Sequence, residues 1–174
     1  MADDYYDSIA SGYDALYADE QLAKLDLVSQ QIVCFRKINE ETTILDVGCG
    51  SGISSDYWVR RFGAQVTGID PASRLLAQNQ NNLSRLLVGS AESLSFEDES
   101  FDIIVSFTAI QNFSDISLSL GEMKRVGKKD TLFVITTLTG GPAFAQIRDA
   151  IDSALKVIVT DTAQNDTVFI ASRR

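Results

Sequence analysis

Apolar residues recur along this chain at two different spacings, and the spacing switches repeatedly. Leu22, Leu25, Val28, Ile32 and Phe35 follow one another at intervals of three and four, which predicts a helix over about 19–38. Ahead of it, "YYDSIASGYDALY" (5–17) carries Tyr5 or Tyr6, Ile9, Tyr13 and Leu16 or Tyr17 at the same spacing, an amphipathic stripe interrupted by Gly12. A first strand is then expected at 43–48, and a helix between Gly52 and Gly63. "QVTGID" reads as a second strand ending at Asp70, with Pro71 suited to the first position of the next helix. "RLLVG" is a third strand. "FDIIVSF" is a near-continuous apolar run, as expected for a strand buried on both faces. A helix near 115–126, a fifth strand "TLFVITTL", and a helix restarted after Gly140, Gly141 and Pro142 and running to about 154 complete the alternation.

The end of the chain follows another rule. "LKVIVT" and "TVFIAS" are strand-like runs separated only by "DTAQND", too short for a crossover helix, so these strands are expected to pair antiparallel. Alternating strands and helices up to 154 argue for an open, mostly parallel sheet covered on both faces. Ligands of such sheets bind beyond the carboxyl ends of the strands, where the strand order reverses. The glycine turn after strand one, Asp70, and the ends of strands three and four all fall on that edge.

Bulk properties narrow the chemistry. A chain of 174 residues with 45% hydrophobic and 22% charged content is expected to form one domain with a real core. No apolar stretch approaches the roughly 18 residues of a membrane span, and the acidic, aromatic start "MADDYYDSIA" is not a secretory leader, so a cytoplasmic protein is expected. Cys34 and Cys49 stand without partner Cys or His and read as reduced thiols. A net charge of −9 argues against nucleic acid as a substrate. "KRVGKK" (124–129) reads as a basic helix C-terminus, and "SFEDES" as a solvent-facing loop with no metal site. The chain has no histidine, which excludes Ser-His-Asp and Cys-His catalysis.

The chemistry gathers in "ILDVGCGSGISS" (44–55), where a strand empties into Gly48, Gly50 and Gly52. A dinucleotide site would want a further glycine where Ile53 stands, and would put a pyrophosphate beside the carboxylate of Asp46. S-adenosylmethionine removes that conflict, because it carries a nucleoside without phosphate and an ammonium that Asp46 can meet directly or through water. Asp70, 22 residues after Gly48, is placed to accept the ribose hydroxyls, or else to cap the helix that follows.

"LDVGCGSG" and "GID" resemble the first two motifs of the class I S-adenosylmethionine-dependent methyltransferases. "VGSAESLSFEDESFDIIVSFTAIQNFSD" is similar to their third and fourth motif region, and "YDSIASGYDALY" to the N-terminal segment that folds over the cofactor. The resemblance implies a Rossmann-like three-layer sandwich around a seven-stranded, mostly parallel sheet with its last strand antiparallel. It implies a helical cap over 1–38 and an α/β core over 39–174. It also implies backbone contacts from Gly48, Gly50 and Gly52 to the methionine part, Asp70 on the ribose and Pro71 near the adenine. Ser90 and Ala91 occupy the adenine-reading position, Phe107 lines the pocket, and Tyr13 is the lid residue for the carboxylate end, unless it is a core aromatic. Two departures stand out. Ser90 sits where an acidic residue is common, with Glu92 as the nearby alternative, and "IQNF" stands where some members place a histidine. Gln111 and Asn112 can orient an acceptor but are not bases. The implied activity is methyl transfer to a small molecule or a protein side chain, without a metal. The rival readings are a cofactor-binding regulatory subunit that needs a partner, and an NAD oxidoreductase.

Overall fold

A computed structural model describes residues 19–174. The segment 5–17, Tyr13 included, lies outside the described residues. A helix runs through residues 19–32 (α1). It is followed in order by β1 (Thr43–Val47), α2 (Ile53–Phe62), β2 (Gln65–Asp70), α3 (Ser73–Leu76), β3 (Arg85–Val88), β4 (Phe101–Ser106), a 3-10 turn (Ile110–Asn112), α4 (Ile116–Val126), β5 (Gly127–Leu138), α5 (Phe144–Ala154), β6 (Leu155–Ala163) and β7 (Asp166–Arg173). The seven strands form one sheet in the order β3-β2-β1-β4-β5-β7-β6. The first five are mutually parallel. β7 runs antiparallel to both β5 and β6. The expected seven-stranded, mostly parallel sheet with an antiparallel last strand is therefore what the chain forms.

Each face of the sheet has its own core. Leu45, Val47, Ile104 and Phe133 meet Met123 of α4 and Ile147 and Ile151 of α5. Ile44, Val105 and Val134 meet Leu25, Val28 and Ile32 of α1 and Trp58 of α2 on the other side. Because pleated neighbours alternate, β1, β4 and β5 give one apolar side chain to each core in turn. That is why apolar residues follow one another without alternation in these strands, with Asp46 of β1 the buried charged exception.

Boundaries differ from expectation at four places, one of them the last hairpin, where β6 runs to Ala163 and β7 starts at Asp166, so that only Gln164 and Asn165 link them. α1 stops at 32 rather than 38, and Phe35 is left exposed. Arg36 ties the chain there to Asp130 and Asp102, and Ile38 enters the core as coil. Pro71 is not the first residue of a helix. Asp70 accepts the Ala72 amide across it, and the helix starts only at Ser73, with Ala72 at the N-cap position and no side-chain cap. β5 begins at Gly127, so Lys128 and Lys129 belong to a strand while Lys124 and Arg125 end α4. Gly127 there pairs with Phe101 of β4, and Lys128 reaches Asp102 at 3.0 Å. In the acidic loop, Glu97, Asp98 and Glu99 are exposed, with Asp98 paired to Arg125. Cys34 is exposed and Cys49 buried, both as free thiols.

Candidate functional site

β1 has β2 on one side and β4 on the other, so the helices leaving their carboxyl ends diverge and open a crevice above β1. The glycine turn fills its floor. Gly48 has φ +78, and a Cβ there would lie 2.4 Å from the Cβ of Ala109, so the β4 end packs directly on it. Gly50 also has positive φ, but a Cβ would meet nothing within 4 Å. Gly50 therefore faces the open side, while Gly52 caps α2. The amides of the turn are already engaged. Those of Gly48 and Cys49 bond to Ile69 carbonyl, that of Gly52 to Cys49 carbonyl, and that of Gly50 to the Asp70 carboxylate at 2.8 Å. What the glycines offer a ligand is room more than donors. Gln21, Gly48, Cys49, Gly50, Ser51, Ile53, Ser54 and Phe107 line the cleft.

Beneath the turn lies Asp46, 1% exposed. One oxygen, Oδ2, accepts from the hydroxyls of Ser54 (2.5 Å) and Ser55 (2.7 Å), both in the first turn of α2. The other, Oδ1, is buried with no hydrogen-bond partner among the described residues. Burial pushes its pKa up to about 6, the two serine hydroxyls pull it back, and the nearby charge of Asp70 adds to the rise. Asp70 spans the tip of β2, its second oxygen accepting the Ala72 amide at 2.8 Å. It thus caps the chain after β2 and also fastens the glycine turn.

Gly48, Gly50 and Phe107 line the crevice, Asp46 lies beneath it, Asp70 holds the Gly50 amide, and Gly52 is turned toward Asn79 and Leu86. Phe107 is buried beside Trp58, ring centroids 6.2 Å apart. Pro71 is exposed next to Asp70. Ala91 is buried, and Ser90 donates its hydroxyl to Glu92. Glu92 also accepts the amides of Ser114 (2.7 Å) and Asp115 (3.2 Å). Burial raises its pKa, but the hydrogen bonds from Ser90 and from the amides of Asp115, Glu92 and Ser114 outweigh this and hold it below the ordinary value. Glu92 is thus committed to the start of α4. Gln111 is held between the Thr108 carbonyl and the Thr137 hydroxyl, and Asn112 is exposed.

Sequence reasoning missed four contributors. Ser54 and Ser55 are visible in "GISS" once the first helical turn is placed over the end of β1. Gln21 carries no signal of its own. Lys24 does, lying four residues before Val28 and eight before Ile32 on the buried stripe of α1.

Residues 45–135 match the family described as "Methyltransferase domain". A malonyl-[acyl-carrier protein] O-methyltransferase of Pseudescherichia vulneris is 33% identical over 152 residues, 84% of this chain and 57% of that protein. An uncharacterized protein of Methanocaldococcus jannaschii is 31% identical over 76% of this chain and 50% of its own length. The chain thus spans about half the length of the curated relatives it matches. Among solved structures, the complex between the Haloferax volcanii Trm112 methyltransferase activator and the putative methyltransferase superposes with a TM-score of 0.80 at 17% identity, covering 97% of each chain. A SAM-dependent methyltransferase from Aquifex aeolicus gives 0.79 at 19% identity, covering 95% of this chain and 97% of that one. At such identities the likeness shows the fold.

Proposed function

This chain belongs to the methyltransferase-domain family, and we propose that it transfers a methyl group from S-adenosylmethionine to a small molecule or a protein side chain by in-line displacement. The observation that carries this reading is Asp46, buried beneath the glycine turn with no ion pair among the described residues and with its Oδ1 unpartnered there. A ligand with an ammonium satisfies that oxygen directly or through a bridging water, whereas a pyrophosphate would meet two carboxylates, Asp46 and Asp70. The donor set therefore fits the cofactor.

In this reading Asp46 holds the ammonium end, Gly48, Gly50 and Gly52 give the methionine part room, and Tyr13 closes over its carboxylate. Asp70 carries the ribose hydroxyls at the tip of β2. Pro71, Ser90 and Ala91 border the adenine, and Phe107 keeps water from the reacting side. When bound, S-adenosylmethionine supplies a methyl group already activated on a sulfonium, with a neutral thioether as leaving group. What remains for the protein is placement, with the acceptor atom held roughly 3 Å away and in line. The relatives named as malonyl-[acyl-carrier protein] O-methyltransferases support keeping both acceptor classes, since theirs is a small acyl group borne on a protein. The activator in the Haloferax volcanii complex supports a partner-dependent form of the same reading.

Calorimetric titration with S-adenosylmethionine and with its demethylated product tests the proposal. Saturable binding that Asp70→Ala weakens at least about tenfold is expected. No binding by the unaltered chain would overturn it.

A further inference from the structure

A second polar cluster lies on the same edge of the sheet and lines no part of the cleft. Lys24 of α1 and Asp166 at the start of β7 are 1% and 0% exposed and pair at 2.9 Å. The same Asp166 oxygen accepts the hydroxyls of Thr108 (2.6 Å) and Thr136 (2.8 Å). Lys24 also donates to the Thr108 hydroxyl at 2.7 Å.

Thr108 is the hub, and its backbone is unusual. It has φ +52, a left-handed conformation that a β-branched residue adopts only when its surroundings impose it. Every polar group of Thr108 is held. Its amide donates to the Thr136 hydroxyl (2.9 Å), its carbonyl accepts from Gln111, and its hydroxyl is clamped by the ion pair. Its neighbours are Phe107, which lines the cleft, and Ala109, whose Cβ occupies the space a side chain on Gly48 would need. The torsion at Thr108 therefore sets both neighbours against the glycine turn. A buried ion pair is a costly way to anchor a helix that apolar side chains would anchor as well.

We infer that Lys24 and Asp166 are positioning residues for the cleft, holding Thr108 left-handed so that Phe107 and Ala109 stand against the glycine turn. The inference rests on the reading that this cleft binds S-adenosylmethionine. Lys24 and Asp166 touch no ligand themselves.

The test exploits glycine, which adopts the same torsion without a clamp. Lys24→Met/Asp166→Val removes both charges together, so neither is left buried alone. It is expected to bind the demethylated product about tenfold more weakly. Without ligand, its Trp58 emission should shift to longer wavelength, because the only tryptophan packs against Phe107. Adding Thr108→Gly to that variant is expected to return both readouts to within about twofold of the parent. A second arm leaves the ion pair in place, with Thr108→Ser behaving as the parent and Thr108→Val as the double variant. Parent-like affinity and emission in the double variant would overturn the inference, as would failure of Thr108→Gly to restore them. Absence of binding by the parent chain would overturn the proposed function instead, and ligand-free Trp58 emission would still decide the positioning role.

Discussion

Two aspartates are buried on the same face of the sheet, and they are supplied in opposite ways. Asp46 lies level with Val105, Val134 and Ile170 across β1, β4, β5 and β7. Asp166 is four residues before Ile170 in β7 and therefore shares that face. Asp166 has a resident cation in Lys24 and two threonine hydroxyls. Asp46 has two serine hydroxyls and no ion pair among the described residues; in both aspartates Oδ1 is buried without a hydrogen-bond partner there, so the cation is what differs. A carboxylate with its own lysine is part of the framework. One that is buried beneath a glycine turn with no cation among the described residues awaits one from outside, and the pKa pushed up to about 6 registers that deficit.

The sharpest way to break this contrast is Lys24→Met alone. It leaves Asp166 charged, buried and unpaired, and should destabilise the chain by about 3–5 kcal/mol in urea denaturation. A loss below about 1 kcal/mol would mean that Asp166 does not depend on its lysine. Asp46→Asn should act in the other direction. At pH 8 it removes an unfavourable buried charge and should stabilise the ligand-free protein by roughly 1–3 kcal/mol. The same variant should bind S-adenosylmethionine about a hundredfold more weakly, close to 3 kcal/mol. If it were less stable and bound normally, Asp46 would belong with Asp166 as framework.

The pH dependence follows from the direction of the Asp46 shift. Its folded pKa of about 6 exceeds the unfolded value of roughly 4, so the native state holds a proton that the unfolded chain has released. This group's share of stability is greatest below about pH 4 and is lost as pH rises to about 6. Ammonium binding needs the ionised form. Calorimetric affinity should therefore fall about tenfold per unit as pH drops below about 6, and Asp46→Asn should flatten that slope. The smallest effect is expected of Ser55→Ala. The lost hydroxyl lets the Asp46 pKa climb further, moving the threshold up by on the order of half a unit. An unmoved or lowered threshold would show that the hydroxyl does not stabilise the carboxylate.

The fold was legible because its signals are local. Apolar runs located every strand, and "DTAQND" alone predicted the antiparallel pair, since no crossover helix fits into six residues. The misplaced boundaries lie where distant contacts intervene. Arg36 and Lys128, beyond the end of α1 and at the start of β5, both reach Asp102, more than 20 residues away. In the site, the glycine turn, Asp46 and Asp70 were readable because their spacing along one strand–turn–helix unit fixes where they stand. Ser90 was readable as a position, but the commitment of its neighbour Glu92 to the Ser114 and Asp115 amides was not.

By itself the sequence determined the alternation of strands and helices, the glycine turn at the carboxyl edge, and the presence of a carboxylate where a phosphate would be repelled. These follow from side-chain period and backbone sterics, which act over a few residues. Only the tertiary structure decided which buried aspartate would own a cation. Lys24 and Asp166 are 142 positions apart, and nothing local distinguishes their pairing from a lysine facing solvent. Folding brings α1 across β7 and seals the two charges together. It leaves Asp46 beneath the glycine turn with no cation among the described residues.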